Sequence, residues 1–313
     1  AINNKINQDA SLTDKKIALS VELVTINAWE NSLVTQLDEI PFHYVGKGEQ
    51  CVVKTELALA KRTSQNASII LLEEPENHLS HTRLNQLIKC ISEQYAEKQI
   101  LISTHSSLVA NKLGLRKVML LENLRIIKFS ELSGDTYNFF KKVAGYDTLR
   151  MILCKKAILC EGDSDELVIQ KAYMQLNDGR LPIEDGIEVI SVGVSFLRFL
   201  EIADCIQTKI AVVTDNDGDL AAINKKYENY IGANQKEYIK ICVDDVVDTG
   251  TLKIGKSDYN YNTLEPKLFG TAYTDEDDLR KFMKHNKTEC GLKIFESSEQ
   301  IEIPEYILEA IKW

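Results

Sequence analysis

Residues 16–23, KIALSVEL, alternate apolar and polar side chains with the period of a half-exposed strand, and residues 29–37 supply a second candidate. Behind Gly46-Lys47-Gly48-Glu49-Gln50, the run CVVKTELALAK has its apolar positions at helical spacing. A helix therefore opens directly after a glycine-containing turn and points its first backbone N–H groups outward. Downstream the pattern predicts a fully apolar, buried strand over 68–72, a helix over 82–95, a strand over 99–103, a short helix over 108–113 and a strand over 117–121. The second half repeats the rhythm, with strands near 156–160, 187–192, 209–214 and 238–243 and helical stretches near 164–177, 195–206 and 218–230. Such alternation predicts an α/β fold with a mainly parallel sheet, divided into domains 1–150 and 151–313. The final IPEYILEAIKW reads as an amphipathic helix that packs on the sheet.

Composition changes this picture little. At 313 residues and 44% hydrophobic content the chain is long enough for two packed cores. Nothing resembles a signal peptide, and no stretch approaches the ~18 uninterrupted apolar residues of a membrane span, so a cytoplasmic location without a membrane partner is expected. The cysteines form no CxxC pair, and Cys154, Cys160, Cys205 and Cys242 fall in or beside apolar segments, as reduced core residues do. No disulfide and no zinc site is expected. A formal net charge of −10 argues against a nonspecific basic coat, yet local lysines and bound cations still allow a nucleic-acid partner.

Candidate chemistry lies at two strand ends. KIAVVTDNDGD is an apolar, β-branched run that stops on Asp215, Asp217 and Asp219, and the earlier KKAILCEGDSDE delivers Glu161, Gly162, Asp163, Asp165 and Glu166 in the same way. Mg²⁺ demands hard oxygen ligands in near-octahedral geometry, so carboxylates from two adjacent strand ends can hold one or two ions beside a phosphodiester. Asp165, with Glu166 next to it, lies in the following helical turn and adds a ligand. If the strand continues, Asp217 points to the side of Asp215 and Asp219, giving three like charges that need cations to coexist. Gly162, lacking a Cβ, lets backbone or phosphate approach where strand turns to helix. The DxDxDG spelling also occurs in calcium loops, but the EF-hand form needs flanking helices and a late glutamate, and here a strand comes first.

A second constellation precedes these. SIILLEEPENHLS sets Glu73 and Glu74 at the end of the buried strand, where paired carboxylates can hold Mg²⁺ and orient the water that attacks a γ-phosphate. ILISTHSS ends the next strand on His105, placed to sense that phosphate. His78 and His81 lack a third ligand nearby and read as surface residues.

GKGEQ, the glutamate pair and His105, in that order, resemble the signature, Walker B and switch-histidine elements of ATPases related to the ABC and SMC proteins. The resemblance implies that Gly46, Gly48 and Glu49 lie at the signature helix, Glu73 takes the Walker B metal position, Glu74 is the catalytic base and His105 the switch. The strand ending in Glu161-Gly162, followed after further elements by DxDxD, resembles the TOPRIM domain of topoisomerases, primases and certain nucleases. An ABC-type region followed by TOPRIM resembles the overcoming-lysogenization-defect (OLD) family of ATP-dependent endonucleases, and YNTLEPKL and NKTECGLKIFES are similar to that family's C-terminal elements. By that match Glu265, with Thr263, completes the second metal site, and Lys287 is the lysine near the scissile phosphate.

The family resemblance implies a metal-dependent DNA endonuclease in which Glu161, Asp215, Asp217 and Lys287 serve catalysis. Its metal ligands are Glu161, Asp165, Asp215, Asp217, Asp219, Thr263 and Glu265, holding Mg²⁺ or Mn²⁺, two ions in all. It further implies regulation by the ATPase region, homo-oligomers, a helicase or retron-type partner and a role in defence against phage. One departure stands out, since the chain carries no GxxxxGK[ST] loop to cradle phosphates. The expectation is that the chain, which starts abruptly on AINNK, is the C-terminal part of a longer protein that binds ATP when whole, the alternative being an ATPase half that has become structural. The alternatives are an RNA-cleaving TOPRIM nuclease, a topoisomerase-like enzyme with a tyrosine nucleophile, and an ATP-gated scaffold whose acidic site is vestigial.

Overall fold

A computed structural model describes residues 17–21, 33–60, 67–95, 97–122, 124–143, 148–254, 256–268 and 287–313, and the chain divides into two compact units between Leu113 and Gly114. In the first unit β1 (Ile17–Val21), β2 (Leu33–Leu37) and β3 (Ile40–Pro41) form an antiparallel sheet in that order. Both expected early strands therefore form, although residues 16, 22–23 and 29–32 of those candidates, and Lys61 and Asn286 of two later segments, lie outside the described residues. Helix α1 (Lys47–Ala60) forms but begins four residues before the expected run, so Lys47, Gly48, Glu49 and Gln50 are its first turn and not a turn ahead of it. The buried Gln50 side chain donates to the Phe42 and Val45 carbonyls at 2.9 and 2.7 Å, tying the preceding turn to the helix.

Parallel strands β4 (Ile69–Glu73) and β5 (Gln99–Ser103) pair from Ile69 opposite Gln99 to Glu73 opposite Ser103, and α2 (His81–Gln94) connects them. Ser80 caps α2 by accepting the Arg83 N–H, and Leu84, Leu87, Ile88 and Ile91 form its buried stripe at helical spacing. Helix α3 (Ser107–Leu113) adds Val109 to that core. The expectation that β4 is fully buried is corrected, because Ile69 is 52% and Leu71 73% exposed. Among the described residues β4 pairs with β5 alone, and only the alternate pleat, represented by Ile70, is buried.

The second unit opens with the antiparallel hairpin β6 (Met119–Glu122) and β7 (Arg125–Lys128), so the strand expected at 117–121 does not join the parallel series. Helix α4 (Gly134–Lys142) is held by Glu201 of α7 (Phe196–Ile206), which accepts hydrogen bonds from Ser133 and Thr136 at its N-terminus. Phe140 meets Phe199 edge-on at 5.2 Å. These contacts pack residues 114–143 with the second unit, whereas the junction expected near residue 150 divides the chain by motif. Helix α5 (Thr148–Leu153) leads into the main sheet.

That sheet holds β8 (Lys156–Cys160), β9 (Ile187–Ser191), β10 (Lys209–Thr214) and β11 (Ile239–Val243) in the order β11-β10-β8-β9, all parallel. Continuous apolar runs suit strands covered on both faces. Ile158, Cys160, Ala211 and Val213 face a core shared with α6 (Asp163–Leu176), α10 (Lys287–Glu296) and α11 (Glu305–Lys312). The alternate residues Ala157, Leu159, Ile210 and Val212 are equally buried on the opposite pleat. The chain leaves β8 toward β9 on one flank and β10 toward β11 on the other, so β8 and β10 bracket a topological switch point. Crevices at the carboxyl ends of such strands are where α/β sheets bind ligands. The helix expected over 218–230 is shorter, α8 (Leu220–Lys226), and the hairpin β12 (Thr251–Ile254) and β13 (Ser257–Asn260) and helix α9 (Leu264–Lys267) complete the unit.

A Cβ on Gly48 would lie 2.5 Å from the His78 carbonyl oxygen, a backbone atom that cannot swing aside. Gly48→Ala is expected to destabilise the first unit by about 1–3 kcal/mol, the usual penalty for overpacking a tight contact, as read from urea unfolding.

Candidate functional site

Asp215 follows directly after the last residue of β10, and a sheet partner does not hold it; two side elements do. Its Oδ2 accepts the Leu264 N–H at 3.0 Å, from the start of α9, and its Oδ1 accepts the Tyr306 hydroxyl at 3.1 Å, from α11. Glu265, 5% exposed, lies one residue further along α9 and pairs with Lys287 at 2.5 Å, where α10 begins. Asp165 sits in the first turn of α6, its Oδ2 accepting the Gly162 N–H at 2.9 Å. Four expected residues, Asp165, Asp215, Glu265 and Lys287, thus come from four segments into one electrostatic neighbourhood. Gly291 lets α10 approach α6 closely, since its Cβ would meet the Ser164 Cα at 3.1 Å.

The remaining acids are placed differently. Strand β10 ends at Thr214, so the alternation expected to align Asp215, Asp217 and Asp219 does not hold. Asp217 is exposed with φ near +50°, and its carbonyl is held by Asn260 Nδ2 at 2.7 Å. Asp219 caps α8, its Oδ1 accepting the Ala222 N–H at 2.9 Å. Glu161 is exposed just past β8, its carbonyl accepting from Gly193 N–H and the Ser191 hydroxyl. Gly162 has extended backbone that any residue adopts, and its value is space, because a Cβ would meet Asp165 Oδ2 at 3.3 Å. Thr263 is the N-cap residue of α9, and its Oγ1 is buried without a hydrogen-bond partner among the described residues.

Charge dominates this neighbourhood. Burial, with the fields of Asp165 and Glu265, pushes the Asp215 carboxyl up to about 7, and burial, with Glu265 and Glu161, pushes Asp165 up to about 6. Burial opposes the Lys287 ammonium, but its hydrogen bond to Glu265 and the fields of Asp165 and Asp215 outweigh that and raise its pKa. Among the described residues no three His, Cys, Asp or Glu side chains already converge as a ligand shell. The donors on offer are nonetheless all oxygen, they repel one another, and Thr263 adds an unpartnered buried hydroxyl. Oxygen donors of this kind are the type a hard divalent cation selects.

Several structural residues carried no usable sequence signal. Asn216, 1% exposed, donates to the Asp244 and Val246 carbonyls at 2.8 Å each, and Asn262 donates to the Asp248 carbonyl at 2.9 Å while accepting the Asp248 N–H at 2.7 Å. These asparagines knit the loops after β10, β11 and β13 into one rim. Lys267 pairs with Asp244 on the same rim. Asn216 lies inside the DNDGD motif, which was the only hint available.

In the first unit, Glu74 follows β4 with φ near +41°, and its N–H continues the ladder to the Ser103 carbonyl at 2.8 Å. Its Oε1 lies 3.2 Å from His105 Nδ1 and its Oε2 accepts from Asn77 at 2.8 Å, so the expected base and switch meet. The Asn77 hydrogen bond, then His105, hold the Glu74 carboxyl below its ordinary range. Glu76, not foreseen, accepts the Thr104 hydroxyl at 2.5 Å and the His105 N–H at 3.0 Å. Glu73 is exposed at the strand end. Glu49 pairs with Arg83 at 3.6 Å, Gly48 meets the turn at His78, and Gly46 accepts the Gln50 N–H at 3.0 Å. His78 and His81 are exposed, as expected.

Between the ordinary 3.8 and about 7, folded Asp215 keeps a proton that the unfolded chain has released, so its contribution to stability falls as pH rises through that window. In EDTA, Asp215→Asn is expected to melt above wild type at pH 8, and the gain should vanish at pH 5. A gain independent of pH would contradict the charge repulsion.

Residues 152–217 match the family described as “Overcoming lysogenization defect protein-like, TOPRIM domain”. Residues 34–111 match “AAA domain, putative AbiEii toxin, Type IV TA system”. No curated protein matches the chain. A solved structure described as “Structural biochemistry of ATP-driven dimerization and DNA stimulated activation of SMC ATPases” aligns over 45% of this chain and 92% of its own, at 14% identity and a TM-score of 0.32. The two family matches cover both constellations read from the sequence, Glu73, Glu74 and His105 in one and Glu161, Asp165, Asp215 and Asp217 in the other. The chain therefore joins an AAA-type ATPase-like domain to an OLD-like TOPRIM domain, an organisation consistent with an OLD-family ATPase plus TOPRIM.

Proposed function

We propose that this chain is a divalent-metal-dependent DNA endonuclease, regulated by its ATPase-like part and acting in defence against phage. The observation that carries the reading is the meeting of Asp165, Asp215, Glu265 and Lys287 beside the β8–β10 switch point. When bound, Mg²⁺ or Mn²⁺, as two ions, would supply Lewis acidity at the phosphodiester. Glu161, Asp165, Asp215, Asp217, Asp219, Thr263 and Glu265 would hold the cations. Lys287, fixed on Glu265, places an ammonium where negative charge builds on the phosphoryl oxygens.

Among the described residues Tyr306 donates its hydroxyl to Asp215 and is 4% exposed, which favours water as the nucleophile over attack by this tyrosine. In the ATPase-like part, Glu74 acts as base with His105 as phosphate sensor, Glu73 serves the metal, and Gly46, Gly48 and Glu49 form the signature helix. The modules are residues 1–150 and 151–313, working as a homo-oligomer with a helicase or retron-type partner.

Supercoiled plasmid incubated with the protein and Mg²⁺ or Mn²⁺ is expected to give nicked and linear products, with none in EDTA or with Asp215→Ala. Cleavage that persists in Asp215→Ala would remove the basis of the reading. Lys287→Met should slow cleavage by about 100-fold, the scale of losing one group that stabilises transition-state charge. Its Mn²⁺ binding, followed by electron paramagnetic resonance, should be undiminished.

A further inference from the structure

Asp215 is restrained at both oxygens by donors from different elements, the Leu264 N–H on Oδ2 and the Tyr306 hydroxyl on Oδ1. A carboxylate held at one oxygen still turns about its Cβ–Cγ bond, whereas one held at both is fixed in plane. Each oxygen has two lone pairs, so both keep one for a further ligand. The tyrosine is itself immobilised. It stands in the first turn of α11, whose Ile307, Ala310 and Ile311 are buried in the sheet core. At the far end of that helix, buried Lys156 of β8 donates to the Ala310 and Ile311 carbonyls at 2.8 and 3.0 Å, and Lys240 of β11 pairs with Glu309 at 2.7 Å. The Lys267 ammonium lies 5.9 Å from the centre of the Tyr306 ring. A ring buried only for packing needs no acidic partner, yet this hydroxyl is spent on a carboxylate of the acidic cluster.

We propose that Tyr306 is a positioning residue for the acidic site, through which helix α11 sets the orientation in which Asp215 meets a divalent cation. The assignment rests on the metal-nuclease reading and adds to it a residue outside the acidic motifs. Support around a metal ligand commonly governs affinity more than turnover, because it fixes the ligand before the ion arrives.

The test compares wild type, Tyr306→Phe and Asp215→Asn by direct Mn²⁺ binding in electron paramagnetic resonance and by plasmid cleavage across a Mg²⁺ series. Tyr306→Phe should raise the Mn²⁺ dissociation constant and the Mg²⁺ half-saturation on the order of tenfold. Its rate at saturating Mg²⁺ should stay within about threefold of wild type. Asp215→Asn should lose both binding and cleavage. Wild-type Mn²⁺ affinity in Tyr306→Phe overturns the positioning role and leaves the nuclease reading standing, while wild-type behaviour of Asp215→Asn overturns the nuclease reading itself. Melting temperatures in EDTA close a cycle on the two side chains. A loss from Tyr306→Phe that disappears in an Asp215→Ala background, which removes both acceptor oxygens, is expected, and an equal loss in both backgrounds assigns Tyr306 to packing and overturns the proposal.

Discussion

Half-buried Asp215 and Asp165 lie beside buried Glu265, and the repulsion among these carboxylates is the constraint around which the second unit is arranged. Carboxylates taken out of water and set against one another hold protons into the neutral range unless positive charge or donors compensate them. The chain supplies such compensation locally: Lys287 on Glu265, the Leu264 N–H and Tyr306 hydroxyl on Asp215, and the Gly162 N–H on Asp165. Each donor sits on a different element. The cluster can therefore exist only if helices α6, α9, α10 and α11 are all docked, which ties the chemistry of the site to the integrity of the whole unit.

The parallel sheet makes that docking possible. Strands β8 and β10 are adjacent in space and separated in sequence, and their outgoing connections diverge to opposite flanks. The gap left at their carboxyl ends receives Asp215 directly and Asp165 one helical turn later. Asparagines 216, 260 and 262 then satisfy backbone groups of the surrounding loops, whose carbonyls and N–H groups have no strand partner at that edge. Glu201 does comparable work remote from the site, offering its carboxylate to the N-terminus of α4.

The first unit uses the same device with fewer parts. Parallel strands β4 and β5 end side by side, so Glu74 from one and His105 from the other meet at 3.2 Å, and Glu76 braces the second strand's exit through Thr104 and the His105 N–H. The turn that carries Glu76 also touches Gly48 at the head of α1. Three motifs separated in sequence are therefore mechanically connected by one turn.

Much of this was legible in the residues. Apolar runs located strands β4, β5, β8, β9, β10 and β11 within a residue or so, and for β8 and β10 the reason is that a strand covered on both faces must be apolar along its length. Helical spacing located α1, α2, α6, α7 and α11, and strand ends rich in acid marked Glu74, Glu161 and Asp215. What periodicity could not reach were features that depend on partners distant in the chain. The pairing of β6 with β7 as a hairpin depends on which strand β6 meets, and the exposure of Ile69 and Leu71 reflects which neighbours β4 has. Asp217 and Asp219 looked equivalent to Asp215, yet the strand ends one residue before Asp215, and only that residue is enclosed by α9 and α11. Glu265 and Lys287 entered through a family resemblance, and Tyr306 had no signal of its own. The sequence by itself determined the elements and the acidic character of their ends, since both follow from local side-chain chemistry. Tertiary structure decided which carboxylates share a low-dielectric space and which donors restrain them, because those energies depend on distances between segments that no local pattern encodes.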